Sequence, residues 1–432
     1  MITPKRPAGF HELLPKEQMV LDAMIQKIKG AYEHYGYAPL ETPALELAEV
    51  LLAKEGGETA KQVYRFKKGD NDLALRFDLT VPLARYVAEH YHELAFPFRR
   101  YQIQEVWRAE KPQAGRFRQF YQCDIDTLGS ASPAADADIL LAARAALNGL
   151  KLETEFKISH RGLLTGWLAQ KKLDKKTTAV LRAIDKLEKL GERAVADELK
   201  KAGLKQSVAK EIFNLVRIKG APETVLKKLR SLKITKPVFI KAIEDLNLIA
   251  QLLTAGGFKN SEFSFDLSIA RGLDYYTGMV FETYLAKNKS VGSICSGGRY
   301  DNLVGHYRKD ALAGVGASIG LSRLFSALRN KLESGPSNPA QVLIVSLSAE
   351  VANYSLKVAE TLRHSGLNIL VYPGVERAGK QFSYADKLGI PMAIVCGENE
   401  MKKKTVTIKN MKSGKQTEVS LSKAANSIKK VL

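Results

Sequence analysis

Phe98-Arg99-Arg100-Tyr101-Gln102-Ile103-Gln104-Glu105-Val106-Trp107-Arg108 alternates polar and bulky apolar side chains. A period of two is the signature of a half-buried strand. A polar loop over residues 109–115 follows, and residues 117–128 alternate again. The two runs read as a strand–loop–strand hairpin. Its polar side would present Arg108, Gln122 and Asp126. Gln122 and Asp126 stand four residues apart, so on a strand they share a face. That face meets either a ligand or solvent.

A second polar stretch lies far downstream. Arg271-Gly272-Leu273-Asp274-Tyr275-Tyr276-Thr277-Gly278 holds a permanent cation, a carboxylate and two phenols between flexible glycines. The strand-like run Met279-Val280-Phe281-Glu282-Thr283-Tyr284 follows at once. The glycines let a backbone approach a ligand closely, and Arg271 could clamp a carboxylate or phosphate with its planar fork. A polar turn before an edge strand is the plainer alternative. Arg323 lies in the glycine-rich stretch 314–324. Arginines in apolar or glycine-rich surroundings usually have a fixed anionic partner, either a ligand or a neighbouring carboxylate. Asp78-Leu79-Thr80 sets a carboxylate and a hydroxyl on alternate positions. On a strand these would share a side and could hold an ammonium group; capping of the helix that follows is the alternative, stronger for Thr80. No Walker lysine loop or dinucleotide fingerprint is present.

Outward from these stretches, a helix is expected over residues 17–35 and strands over 66–79 around the Gly69-Asp70-Asn71 turn. Helices are expected at 81–91 and 136–150, and a strand at 154–159. From Lys171 onward helical periodicity dominates and lysine rises, with Leu181, Ile184, Leu187 and Leu190 as one stripe. Sheet-like sequence resumes at Phe263, so the helical part reads as an insertion. The expected division is a domain at 1–170 and 258–333, interrupted by helices at 171–257, and a small α/β domain at 340–432 beyond a Gly/Pro/Ser linker. Within the last, strands at 341–347, 368–372 and 391–395 alternate with helices at 351–365 and 381–388, and strands at 405–409 and 417–421 form a hairpin.

With 432 residues there is room for two or three cores. No stretch approaches the roughly 20 apolar residues of a membrane span, and residues 1–15, with three prolines, do not read as a secretory signal. Cys123, Cys295 and Cys396 have no metal-ligand spacing and fit a reducing cytosol. The net charge of +20 is uneven: residues 171–250 hold 20 Lys+Arg against 10 Asp+Glu, and residues 401–432 hold nine Lys against one Glu. Two basic regions on a nearly neutral body favour a polyanionic partner, most simply a nucleic acid. Solvated lysine faces are the alternative.

Together these pieces resemble the histidyl-tRNA synthetases, a family of class II aminoacyl-tRNA synthetases. Glu41-Thr42-Pro43 is similar to motif 1, Trp107-Arg108-Ala109-Glu110 with Gly115-Arg116-Phe117-Arg118-Gln119-Phe120 to motif 2, and Gly320 to Arg323 to the end of motif 3. Arg271 to Gly278 and Ser296-Gly297-Gly298-Arg299-Tyr300-Asp301 resemble the histidine-specific segments. Ser322 stands where the family usually has Glu, and Asp126 where many bacterial members have Glu.

The resemblance implies an antiparallel-sheet catalytic domain with a helical insertion, a C-terminal α/β anticodon-binding domain, and a cytoplasmic homodimer. It implies a histidine–tRNA ligase that uses ATP, with Mg²⁺ accompanying it, and for which no protein metal ligand is assigned. Arg108 and Arg271 would contact the α-phosphate and carboxylate, Arg323 the γ-phosphate, and Glu110 would lie near adenine. Asp78, Thr80 and Gln122 would hold the α-amino group of histidine, with Leu79 between the first two. Asp126 and Tyr276 would bond the imidazole, with Tyr275 beside them. Two other classes compete: a synthetase-like regulatory subunit of histidine biosynthesis, which lacks an anticodon domain, and a pure RNA-binding module, which leaves the arginines and the octapeptide unexplained. If the basic regions meet tRNA phosphates, affinity for tRNA falls steeply with salt. A filter-binding titration between 50 and 200 mM salt is expected to lose roughly 10³-fold in affinity; a flat response would make the charge a matter of solubility.

Overall fold

The computed structural model describes residues 2–52, 61–113, 115–270, 276–308, 312–329 and 337–432. The chain forms two compact units: Met1–His11 with Met24–Asn330, and Glu12–Ala23 with Lys331–Leu432. The octapeptide residues Arg271 to Tyr275 and most of the expected 333–339 linker lie outside the described residues.

The first unit is built on a nine-stranded sheet. Its strands are β1 (Ala38–Pro39), β5 (Phe98–Trp107), β6 (Gln119–Leu128), β7 (Thr154–His160), β8 (Lys219–Gly220), β9 (Phe263–Asp266), β10 (Met279–Leu285), β11 (Cys295–Tyr300) and β12 (Gly314–Gly320). Their order is β1-β5-β6-β12-β11-β10-β7-β9-β8. All five pairings from β5 to β7 are antiparallel; β1 and β9 join in parallel. A small sheet of β2 (Leu45–Leu47), β3 (Arg65–Lys68) and β4 (Asn71–Leu75) lies before the long hairpin in sequence.

Register separates the two faces of the large sheet. Tyr101, Ile125, Ala317, Gly297, Phe281 and Ile158 stand in one cross-strand row. Their neighbours on that side include Cys123, Ile319 and Phe156, all buried. The helix Pro133–Gly149 covers this face, capped by Ser132, whose side chain accepts from the Ala134 N–H. Arg299 reaches from β11 to Asp136 on that helix at 3.0 Å. The opposite face carries Gln102, Asp124, Ser318, Ser296, Glu282 and Lys157 in a row. A sheet whose second face is polar yet largely buried has something other than a hydrophobic layer to cover it.

Two expectations fail here. The strand expected to run to Leu79 ends at Leu75, so Asp78 and Thr80 do not share a strand face. Thr80 instead opens the helix Thr80–Glu89, and Asp78 caps it, accepting from the Val81 N–H at 3.1 Å. Both residue types favour a helix start, and the cap falls to Asp78 rather than Thr80. The stripe from Leu181 to Leu190 is also broken. One helix ends at Asp185 and another starts at Leu187, so Leu181 and Ile184 are buried whereas Leu190 is 46% exposed.

The remaining helices between β7 and β9 are Arg161–Gln170, Gln206–Val216, Pro222–Ser231 and Pro237–Ala255. The last packs on both Arg161–Gln170 and Pro133–Gly149. Gly166 permits this: a Cβ there would lie 2.6 Å from the Phe239 side chain.

In the second unit, β13 (Val342–Ser346), β14 (Ile369–Val371), β15 (Met392–Cys396), β16 (Thr405–Asn410) and β17 (Gln416–Ser420) form a sheet ordered β14-β13-β15-β16-β17. β13 runs parallel to β14 and β15, and β16 runs antiparallel to both β15 and β17. Helices Ala352–His364 and Ala378–Leu388 complete the alternation. A further helix, Leu421–Lys429, lies within the basic region 401–432. Ala424 and Ile428, four apart, bury against Val358, Leu362 and Val406, which leaves Lys423, Lys429 and Lys430 exposed.

Candidate active site

The polar face is organised around Arg100, which has no exposed surface. Its Nη2 meets Asp126 Oδ2 at 2.7 Å and donates to the Leu79 carbonyl at 3.2 Å, and its Nη1 reaches Gln102 Oε1 at 3.3 Å. The Tyr300 hydroxyl donates to the other Asp126 oxygen at 2.5 Å. Asp78 and Asp124 share this neighbourhood, and all three carboxylates are buried. Burial raises each of them: Asp126 to about 6 and Asp124 to about 7, although Arg100 pulls both down. Asp78 is raised too, against the pull of its backbone donors, Arg108 and Arg100. Among the described residues, three buried carboxylates surround one fully buried guanidinium, with Arg108 also acting on Asp78. Three of their oxygens are buried with no hydrogen-bond partner among the described residues; Asp126 Oδ2 still pairs with Arg100, which leaves Asp78 Oδ2 and Asp124 Oδ1. Such a site can accept a cationic donor.

The strands provide the room. Gly316 faces Asp126 directly across the ladder, and a Cβ there would fall 2.0 Å from Asp126 Oδ1. Gly298 stands beside it on β11 and lies under Tyr276, whose Cδ1 would meet an added Cβ at 3.1 Å. Tyr276 packs with Tyr300 in the same cluster. Asp78, Asp126 and Tyr276 are thereby drawn into one locality, with Arg108 at its margin. Arg108 donates from Nε to the Phe77 carbonyl at 2.9 Å and lies over the Phe120 ring at 5.2 Å. Gln122 is on the same face as Asp126, as its spacing required, and its Nε2 donates to Ser318 Oγ at 2.7 Å.

The other expected residues are placed differently. Leu79 is a fully buried core side chain that reaches the cluster only through its carbonyl. Glu110 faces Arg116 across the hairpin loop at 3.6 Å. Arg323 donates to the carbonyls of Gly115 at 3.3 Å and Ser293 at 2.9 Å, so it borders that loop. Arg271 and Tyr275 lie outside the described residues. Sequence reading did not single out Arg100, Asp124, Tyr300, Gly316 or Ser318 as site residues. The parity of the hairpin carried a signal for two of them: Arg100-Gln102-Gln104 and Gln122-Asp124-Asp126 are polar at every second position.

The family model described as "Histidyl-tRNA synthetase" matches residues 9–324, and that described as "Anticodon binding domain" matches 341–431. A "Histidine--tRNA ligase" of Clostridium tetani is 45% identical, with 99% of each chain covered. One of Helicobacter pylori is 43% identical over 96% of each. The crystal structure of histidyl-tRNA synthetase from Nostoc sp. PCC 7120 matches at a TM-score of 0.88 with 37% identity, covering 100% of both chains. The chain belongs to the histidyl-tRNA synthetase family, whose activity is histidine–tRNA ligation. A Bacillus halodurans structure titled "ATP phosphoribosyltransferase regulatory subunit/histidyl-tRNA synthetase" shares the fold at a TM-score of 0.76 and 23% identity. The regulatory reading expected no anticodon-binding domain; this chain has one, and that reading is not favoured.

The close approach at Gly316 gives a direct test. Gly316→Ala forces Asp126 to move, and displacements of about 1 Å at such sites cost on the order of 10²-fold. The histidine KM in ATP–pyrophosphate exchange is expected to rise by about that factor while the ATP KM changes less than about twofold. Equal rises in both would show a general disturbance of the sheet.

Proposed function

We propose that this chain activates L-histidine with ATP and then esterifies its cognate tRNA, using the polar sheet face as the amino-acid pocket. In the first step the histidine carboxylate attacks the α-phosphate, forming histidyl-adenylate and expelling pyrophosphate. The carboxylate is already ionised near neutral pH, so no protein base has to make the nucleophile. The chain's task is alignment and charge stabilisation. In the second step a ribose hydroxyl at the 3′ end of the tRNA attacks the adenylate carbonyl and AMP leaves.

The observation that carries this reading is the buried set of three carboxylates about Arg100, with two oxygens left to accept. Asp78, with the hydroxyl of Thr80 and the amide of Gln122, receives the α-ammonium. Asp126 and Tyr276 take the imidazole, with Tyr275 beside them. A site that bonds the imidazole through fixed polar groups rejects analogues that leave those groups unpaired, by up to about 10⁴-fold. Arg108 and Arg271 stabilise the charge building at the α-phosphate and carboxylate. Arg323 holds the γ-phosphate and Glu110 lies near adenine.

Mg²⁺ would accompany ATP and offset the charge of its phosphates. No protein ligand is assigned to it. Residues 171–257 and 340–432 form the insertion and the anticodon-binding domain, and their lysines meet tRNA phosphates. Residues 111–118 approach the acceptor end. The working form is a cytoplasmic homodimer, with the segment around Glu41-Thr42-Pro43 supporting the interface. Among the described residues no helix is long and apolar enough to cross a membrane.

ATP–pyrophosphate exchange with and without histidine tests the reaction: exchange that does not require histidine would exclude it. Asp126→Ala is expected to raise the histidine KM by at least about 10²-fold, because an imidazole partner disappears from a site built to pair it. An unchanged KM would remove Asp126 from the pocket. Arg271→Ala is expected to slow adenylate formation by at least about 10²-fold, the scale of one lost preorganised donor. Near-wild-type single-turnover rates would contradict its role.

A further inference from the structure

Gln122 presents a chemical ambiguity. An amide has a carbonyl end that accepts and an NH₂ end that donates, almost equal in shape. Only the carbonyl end can serve an ammonium ligand. Something must fix which end faces the pocket. The Gln122 Nε2 donates to Ser318 Oγ at 2.7 Å, and Gln122 Oε1 is buried with no partner among the described residues. Ser318 lies directly opposite Asp124 on the ladder, and its hydroxyl lowers the pKa of that carboxylate.

We propose that Asp124 is a positioning residue for amino-acid recognition, acting through Ser318 to hold the Gln122 carbonyl toward the α-ammonium of histidine. The argument rests on the directionality of hydrogen bonds. An ionised carboxylate has no hydrogen to donate. A hydroxyl beside it must therefore spend its single hydrogen on the carboxylate. Ser318 Oγ is then left only lone pairs for its other neighbour, so it can receive only the NH₂ end of Gln122. The Gln122 oxygen is turned the other way. Reversing the amide would set carbonyl against a hydroxyl with no hydrogen to give, and would point NH₂ at the ammonium.

Burial, with Asp126, pushes Asp124 up to about 7 against the pull of Arg100 and Ser318. An ammonium bound nearby adds to the downward pull and so favours the ionised form. Asp124 is not required to touch histidine. Its place between Gln122 and Asp126 on β6 lets one strand supply the amide, the group that orients it and the imidazole acceptor.

The inference depends on Gln122 meeting the α-ammonium, so its test uses two ligands. One is histidine. The other is imidazolepropionate, which keeps the ring and carboxylate and lacks the ammonium. Dissociation constants are measured by calorimetry on the full-length chain and on Ser318→Ala, Asp124→Asn and Gln122→Ala, each checked for an unchanged melting temperature. Ser318→Ala removes the relay with little change of volume, and Asp124→Asn introduces hydrogens that can turn it round. Both are expected to weaken histidine by about tenfold, the scale of one hydrogen bond to a charged group, and imidazolepropionate by less than about twofold. The double variant Asp124→Asn/Ser318→Ala is expected to be no weaker than the worse single one, because both break one relay. Equal losses for the two ligands, or no loss for either in Ser318→Ala, would overturn the relay. Gln122→Ala separates the two levels. If it spares histidine, the ammonium assignment itself fails; if it selectively weakens histidine while Ser318→Ala does not, only the relay fails.

Discussion

A guanidinium with no exposed surface holds this site together. Arg100 lies among Asp126, Asp124, Asp78, Gln102 and the Leu79 carbonyl. Taking a charge out of water is costly, and a buried pair is stable only where geometry and further hydrogen bonds are good. Removing one partner of such a pair costs about 3–5 kcal/mol. The two central strands of the hairpin, the start of helix Thr80–Glu89 and the Tyr300 end of β11 are therefore tied to one another through a single side chain. Rigidity of this kind suits recognition of a small amino acid, where the pocket must hold its groups in place before the ligand arrives.

The charge balance is what the proposed pocket rests on. One guanidinium does not neutralise three carboxylates, and burial pushes all three up. An ammonium group arriving in the pocket lowers those carboxylates by favouring their charged forms. The free energy of that relief belongs to binding. A neutral analogue of the same shape would not receive it. The β11 and β12 strands contribute by absence: Gly298 and Gly316 leave the space that Tyr276 and Asp126 fill. A side chain at either position would meet Tyr276 or Asp126.

Much of this was legible in the hairpin, because a period of two survives translation into a sheet with its faces intact. Gln122 and Asp126 share a face for that reason alone. Arg100 was harder to read, since Arg99 beside it is equally charged. The two point to opposite sides: Arg99 lies over the Tyr37 ring at 4.4 Å and pairs with Asp138, whereas Arg100 turns into the pocket. Only the register against Asp126 distinguishes them. Asp78 was read on the wrong element because alternation persists for a few residues beyond β4 while the chain has already turned toward a helix. The helix Leu421–Lys429 was hidden by its lysines. Two buried residues, Ala424 and Ile428, are enough to fix it once the sheet is there, and two residues make a weak periodic signal.

Ser322 shows how a departure from the usual motif can be absorbed locally. A carboxylate before Arg323 would offer it a charged neighbour. Here Ser322 Oγ instead accepts the Tyr121 N–H at 2.9 Å, which fastens the first turn of helix Leu321–Leu328 to β6. The orientation of Arg323 comes from elsewhere, through the carbonyls of Gly115 and Ser293. Neutral carbonyls fix a guanidinium by geometry without cancelling its charge. The serine therefore fastens helix Leu321–Leu328 to β6 through a backbone N–H, while Arg323 reaches the carbonyls beside the hairpin loop.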